Sequence, residues 1–385
     1  MEHNQKTREH DHSAHRDAFF EALEARQLLA TITWDGGGDG TTLTQATNWT
    51  GDVAPGVADD AVINVAGTPS IAFSSGSFSV NSLTCAETLT VSGGTMTLAS
   101  TSAFSGAFTM SGGTITGAGN LSISGATFDW TGGQITTAGS ATLSLGASTT
   151  STFNGGTLGI NRDTTNAGTV NWTGGNLSGF GGSGITFTNN GAFNASPSGN
   201  NVFSGNSSNN TFVNAGTFTK TGGTTVTFSG CVVNGSGAFN INAGGVTFSS
   251  GGTYTGAMTV ASGTTITHNG GTFNYGTGST LSGTGAWALA GGSEVFDIAF
   301  APSGAVTMTS GTVTLNAGSQ TIANLTMSGG TITGNGNLTI STSLNWTGGQ
   351  ITTAGSGTLT FGASSTITFN GGTLGINRDT TNAGT

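Results

Sequence analysis

Charge is what this sequence has least of. Only 6% of its 385 residues are Asp, Glu, Lys or Arg, against roughly 25% in a soluble domain, which leaves few side chains for the acid, base and ion-pair chemistry of most enzymes. Four of the seven basic residues lie within residues 1–30, so the rest of the chain carries only Arg162, Lys220 and Arg378. Three cations cannot neutralise a run of phosphates, so nucleic acid is excluded as a partner. Attraction to an anionic membrane surface fails for the same reason. No run approaches eighteen consecutive apolar residues, so no helix of the sequence spans a bilayer. Proline occurs four times and glycine follows no three-residue period, which excludes collagen. Cys85 and Cys231 belong to no CxxC pair or Cys/His cluster and read as two small buried side chains, with a disulfide or a reactive thiol as the alternative.

Glycine and threonine are abundant instead, with 69 and 72 residues. Such a composition admits disorder. The 22 Phe and 6 Trp, spread along the whole chain, argue against it by supplying something to bury in every twenty-residue window.

Residues 1–30 form a separate tail. They hold His3, His10, His12 and His15, and a short helical pattern in which Phe19, Phe20, Leu23, Leu28 and Leu29 face away from Glu21, Glu24 and Arg26. The histidines read as a solvated tail, with no fixed geometry to hold a metal. The apolar stretch is too broken by charge for an ordinary secretory signal. The segment Phe20-Glu21-Ala22-Leu23-Glu24-Ala25-Arg26-Gln27-Leu28-Leu29-Ala30 resembles the N-terminal LEPR-XLL element that precedes large secreted or surface proteins of planctomycete-type bacteria. Ala22 and Ala25 stand where that family has proline. The resemblance implies export to the cell surface.

Residues 31–65 read as a set of opening, capping strands containing Trp34, the Gly/Asp turn Asp35–Gly40, Asn48-Trp49, Pro55-Gly56 and Asp59-Asp60. This arrangement looks like the start of many bacterial surface β-helix proteins. Asp35, Asp39, Asp59 and Asp60 are candidate calcium ligands, with Asx-turns between short strands as the competing reading.

Residues 66–385 repeat with two periods. Thr109–Thr169 and Thr326–Thr385 align with one deletion and share 49 of 60 positions. Inside that long repeat, Gly-Gly pairs recur at steps that are mostly 19 to 23 residues, and the 48-residue interval from Gly174 to Gly222 fits two steps. That is the period of a solenoid. Apolar residues come in alternating pairs, among them Leu121/Ile123, Phe128/Trp130, Leu143/Leu145, Phe239/Ile241 and Leu359/Phe361. Spacing of two marks short strands with one buried face. Asn-Gly and Asn-Ala-Gly turns, at Asn154, Asn166, Asn190, Asn214, Asn234, Asn269 and Asn370, supply residues that tolerate positive φ where the strands bend, so the corners are expected to be built of Gly and Asn. The fold expected is all-β: a parallel β-helix (β-solenoid) with coils of about 19–23 residues, preceded by a short helical or disordered N-terminal tail. The family resemblance implies a right-handed one. A propeller would need blades of roughly 40 residues, and a calcium-binding roll would need Asp in every repeat.

Many parallel β-helices act on polysaccharides, which requires a local carboxylate cluster. Glu294 and Asp297 are the best pair, yet their spacing sends them to opposite faces of a strand unless the chain bends between them. They are the only candidate catalytic residues, with a loop or edge position as the plainer reading. Asp129 aligns with Asn345, so the coil does not require its carboxylate. The duplicated Arg162-Asp163 and Arg378-Asp379 read as structural corners in which Arg and Asp pair across a loop. His268 is the only histidine outside the tail and completes no Ser-His-Asp set. Outward Thr-x-Thr steps such as Thr95/Thr97 and Thr312/Thr314 evoke ice-binding faces, but Gln134, Gly159 and Asn176 interrupt the ranks.

The sequence therefore points to a non-enzymatic, structural or adhesive repeat protein of the cell surface that needs no cofactor. Its partners would be glycans or other surface components. Polysaccharide binding or degradation is the alternative, and ice binding a more distant one. Thr385 aligns with Thr169, after which the first copy continues into Val170-Asn171-Trp172. The chain is accordingly expected to be a fragment of a longer protein, whose open last coil would allow end-to-end self-association.

Overall fold

The structure is a computed structural model that describes residues 30–67, 69–179, 184–205 and 210–385. The tail helix and the LEPR-XLL-like segment fall almost wholly outside the described residues.

Alternating apolar residues make strands of 3 to 11 residues, and each strand hydrogen-bonds in parallel to the equivalent strand one coil away. The result is a parallel β-solenoid of about 15 turns. Three sheets run along it, each legible as a stack of inward side chains. In the first, Leu89, Phe108, Phe128, Ser151, Val170, Phe193 and Phe218 pair in register. The second stacks Phe203, Phe228, Phe248, His268, Leu289 and Met308. The third stacks Cys85, Phe104, Ile123, Leu145, Asn166, Asn189 and Asn214.

Coil length follows from these registers. Phe104 pairs with Ile123 and Phe187 with Phe212, so the range is wider at its upper end than the Gly-Gly spacing suggested. The long Gly174–Gly222 interval does hold two coils, since Trp172 pairs with Ala195 and Ala195 with Lys220.

One hydrophobic core extends from Trp34 to Phe361. Fully burying each of its large side chains contributes roughly 1.5–3 kcal/mol. Neighbours from successive coils stack closely, as Phe218 does on Phe239 with ring centroids 4.3 Å apart. Such stacking also explains the scarcity of charge, because like charges repeated every ~4.8 Å along a ladder repel.

Of the two residue types expected at the corners, glycine alone takes the left-handed backbone in the described coils. In most Gly-Gly pairs the second glycine holds positive φ, as at Gly94, Gly113, Gly133, Gly175 and Gly330. Among the described residues the only non-glycine with positive φ is Asp52. The asparagines stay in the ordinary regions, and several of them turn inward.

The opening module packs Trp34 edge-on against Trp49, centroids 5.2 Å apart, with Trp49 stacked over Phe78. Its chain doubles back through an antiparallel bridge between the two tryptophans and one 3-10 turn, Ala46–Asn48.

Candidate functional site

The four candidate aspartates of the opening module are each hydrogen-bonded, three of them within local turns and Asp60 to the next coil. Asp39 accepts from the backbone N–H of Thr41 and Thr42, the Thr42 hydroxyl and the Asn48 amide, at 2.6–2.8 Å. The Thr42 and Asn48 bonds hold its carboxyl well below the usual carboxylate range. Asp35 accepts from Gly37 N–H, Asp59 from Gly56 N–H, and Asp60 from Asn81 and Ser82 side chains. Asn48, fully buried, accepts from Gly38 and Gly40 N–H and donates to Thr42 O, so the Gly-rich loop winds around it. Among the described residues, no three His, Cys, Asp or Glu side chains gather closely enough to hold a metal ion. Asp35 and Asp39 form Asx-turns, each accepting from the N–H two residues on.

Glu294 and Asp297 are not brought together. Glu294 lies inside the strand Ala286–Phe296, buried, and Asp297 follows that strand on the outside, where it accepts from Asn316 at 2.8 Å. The expected loop or edge position is therefore wrong for Glu294. It occupies the inward rank of the third sheet, between Phe273 and Val313. Its Oε2 has no hydrogen-bond partner. Burial pushes its carboxyl up to about 8.

His268 also turns into the core, stacked on Trp287 and touching Phe248 and Phe273. Its Nε2 meets the Tyr275 hydroxyl at 2.9 Å, and its Nδ1 has no partner. Burial pushes the imidazole down to about 3. The Tyr275 phenol is pushed well above its ordinary value, by burial first and by Glu294 second. Composition alone could not have shown that these three residues share the core of adjacent coils. The visible signal was a Glu at strand parity with Val295 excluded, inside the run Ser293–Phe296.

The three body cations all point at backbone carbonyls. Arg162, 1% exposed, donates to the carbonyls of Thr136, Gly119 and Thr142 and so ties together the two preceding coils. Arg378 repeats the arrangement with Thr352, Gly336, Thr358 and Gly334. Both are structural corners as expected, but the Arg–Asp pairing is not how they work. Asp163 instead accepts from Thr186 N–H at 2.7 Å. Burial lowers the Arg162 guanidinium to about 10.

Lys220 fills a position that elsewhere belongs to tryptophan. Trp130 and Trp346 donate their indole N–H to Gly132 O and Gly348 O, two residues ahead, at 2.9 Å. The Lys220 ammonium donates to Gly222 O in the same way and reaches Ala243 O as well. Lys-Thr-Gly-Gly at 220–223 standing for Trp-Thr-Gly-Gly was the readable signal.

Cys85 and Cys231 are free and buried, and burial pushes their thiols up to about 11 and about 12. The Thr-x-Thr steps do face outward in ranks, Thr95 over Thr114 and Thr312 over Thr331, each rank ending at a glutamine, Gln134 or Gln350. No described helix is long and apolar enough to cross a membrane. Compared with known proteins, the chain matches no family model, no curated protein and no solved structure.

Proposed function

We propose that this chain is a non-enzymatic structural and adhesive rod displayed outside the cell, where it presents a repetitive polar surface to glycans or other surface components. The observation that carries this reading is the continuity of the core and of two of the three sheets along the described coils, combined with outward ranks that bear little charge. At ~4.8 Å per coil, about 15 coils extend the chain by about 70 Å. One outward rank of the first sheet reads Thr152, Asn171, Asn194, Thr219, Asn240 and Thr259 in register. Amides and hydroxyls in such a rank suit the hydroxyls of a carbohydrate without selecting for charge. The resemblance of residues 20–30 to the LEPR-XLL element supports export.

An antibody against the repeat body should label intact cells of the source organism, and protease applied to intact cells should remove the label. Labelling that requires permeabilised cells would overturn the reading. The purified chain should retain neutral glycans on a support and release no shortened products from them, whereas depolymerisation would favour the polysaccharide-degrading alternative.

A further inference from the structure

Between Thr265 and Leu315 one of the three sheets is interrupted, while the other two stay paired from Thr265–Tyr275 through Ala286–Phe296 to the following strands. The strand Thr280–Ser282 pairs with Ala257–Thr259 on one side, and among the described residues no strand joins its other edge. There the first sheet gives way to the loop 297–304, which sends Phe300 into the core. A pocket of about 270 Å³ lined by Leu281, Ser282, Trp287, Phe300 and Pro302 marks the place of the missing strand.

The same coils contain Glu294, a buried acid whose Oε2 has no hydrogen-bond partner. Its rank continues through Val313, Ile332 and Ile351, so one acid interrupts an apolar series. From the strand Thr265–Tyr275 the titratable neighbours are His268 and Tyr275. The strands Ala305–Met308 and Thr312–Leu315 bring only Val306, Met308, Val313 and Leu315 inward, and Asp297 lies on the outside bonded to Asn316. No cation faces Glu294 from these elements. A neutral carboxyl with one unpaired oxygen is tolerable in such surroundings, whereas a carboxylate with no cation beside it is not.

We propose that residues 265–315 are a pH-operated joint in the rod: with Glu294 protonated the coils close as they do elsewhere, and loss of that proton to solvent opens this stretch while the coils on either side keep their ladders. Two independent features act at one place. The missing strand lowers the resistance to local opening, and the buried acid supplies the trigger, since burial pushes its carboxyl up to about 8 against the opposing pull of a backbone hydrogen bond. The joint is a property of the coils themselves and does not depend on where the protein is displayed.

Amide hydrogen exchange on the full chain, corrected for the intrinsic rate, tests this between about pH 6.5 and about pH 8. Protection in residues 265–315 should fall about tenfold per pH unit, while residues 121–172 show no such slope. Glu294→Gln should abolish the slope, and so should Glu294→Val, which repeats the side chain of the next coil. Protection that ignores pH in the wild-type stretch, or falls equally in all coils, would overturn the joint. A slope that survives in either folded variant would overturn the assignment to Glu294, and the wild-type comparison decides the matter if neither variant folds.

Discussion

Asn189 donates its side-chain amide to Oδ1 of Asn214 in the next coil, at 2.8 Å. One coil below, Asn166 donates to Asn189 in the same way. At the other end, Asn214 donates to the Tyr254 hydroxyl, which donates onward to Gly237 O at 2.9 Å. Tyr254 belongs two coils beyond Asn214, and between them the rank holds Gly235, where a Cβ would collide with the Asn214 backbone. All four members of this chain are buried, so each polar atom depends on its neighbour. Asn189→Ala should therefore destabilise the protein by about 2–4 kcal/mol, because it strands Asn214 Oδ1 and costs Asn166 one acceptor. Replacing Asn166, Asn189 and Asn214 by Leu together with Tyr254→Phe should cost clearly less than the four single changes added, since no side chain of the ladder is then stranded and the backbone groups it served, such as Gly168 N–H, are lost only once. Denaturant unfolding of the five variants gives the comparison, and strict additivity would mean the ladder is not acting as a unit.

Arg162 makes a second kind of coil-to-coil tie, one side chain spanning carbonyls of two coils. Arg162→Met keeps much of the apolar stem and removes every donor. It should cost about 3 kcal/mol or more, with Arg162→Lys recovering only part of the loss, because a single ammonium cannot reach carbonyls spread around a planar fork. Thermal unfolding of the two variants would show it. Equal stability of Lys and Met at this position would argue that the hydrogen bonds contribute nothing net.

The glycine corners separate into two types that substitution should distinguish. Gly133 has φ +83°, and a Cβ there would stand 2.6 Å from Gly113 O. Gly156, also in a Gly-Gly pair, lies outside the positive-φ region and has nothing within 4 Å of a Cβ. Gly133→Ala should destabilise by about 2 kcal/mol or more, from left-handed strain and the collision with the neighbouring coil. Gly156→Ala should fall within about 0.5 kcal/mol of wild type or stabilise slightly by restricting the unfolded chain. Matching losses at the two sites would refute this division.

The contrast between these glycines shows where sequence reasoning stops. The solenoid, the double step from Gly174 to Gly222 and the inward pairs Phe128/Trp130 and Phe239/Ile241 were readable, because each follows from period and parity, which every coil repeats. Asn166 and Asn214 read as turn residues because Asn-Ala-Gly is turn chemistry. Their side chains instead close on each other across coils, a pairing that depends on register and not on local propensity. The recurrence of Asn two residues before Gly at 166, 189 and 214, at coil spacing, was the available clue. Glu294 was paired with Asp297 by proximity in sequence, whereas its meaningful neighbours, His268 and Tyr275, come from the preceding coil. A site in a solenoid is assembled at offsets of one coil, and offsets of three residues say little about it.

His268 predicts the acid limb of stability. Its folded-state value is depressed to about 3 from an ordinary value near 6.5, so the stability it contributes is complete above about pH 6.5 and is lost as pH falls toward 3. Glu294 has the opposite sign: its contribution is complete below about pH 4.5 and is lost as pH rises through about 8. The two slopes offset each other between about pH 4.5 and 6.5, which hides the histidine in a simple stability profile. His268→Phe exposes it, since phenylalanine already occupies the neighbouring position of the rank at Phe248. The difference in unfolding free energy between wild type and His268→Phe should shift in favour of the variant as pH falls from about 6.5, by at most about 4–5 kcal/mol at pH 3. The variant also loses the hydrogen bond to Tyr275, a term of about 1 kcal/mol that does not change with pH over this range. Urea unfolding of both proteins at several pH values separates the two effects, and a difference that stays constant from pH 7 to pH 3 would mean that the buried imidazole gains its proton without opening the core.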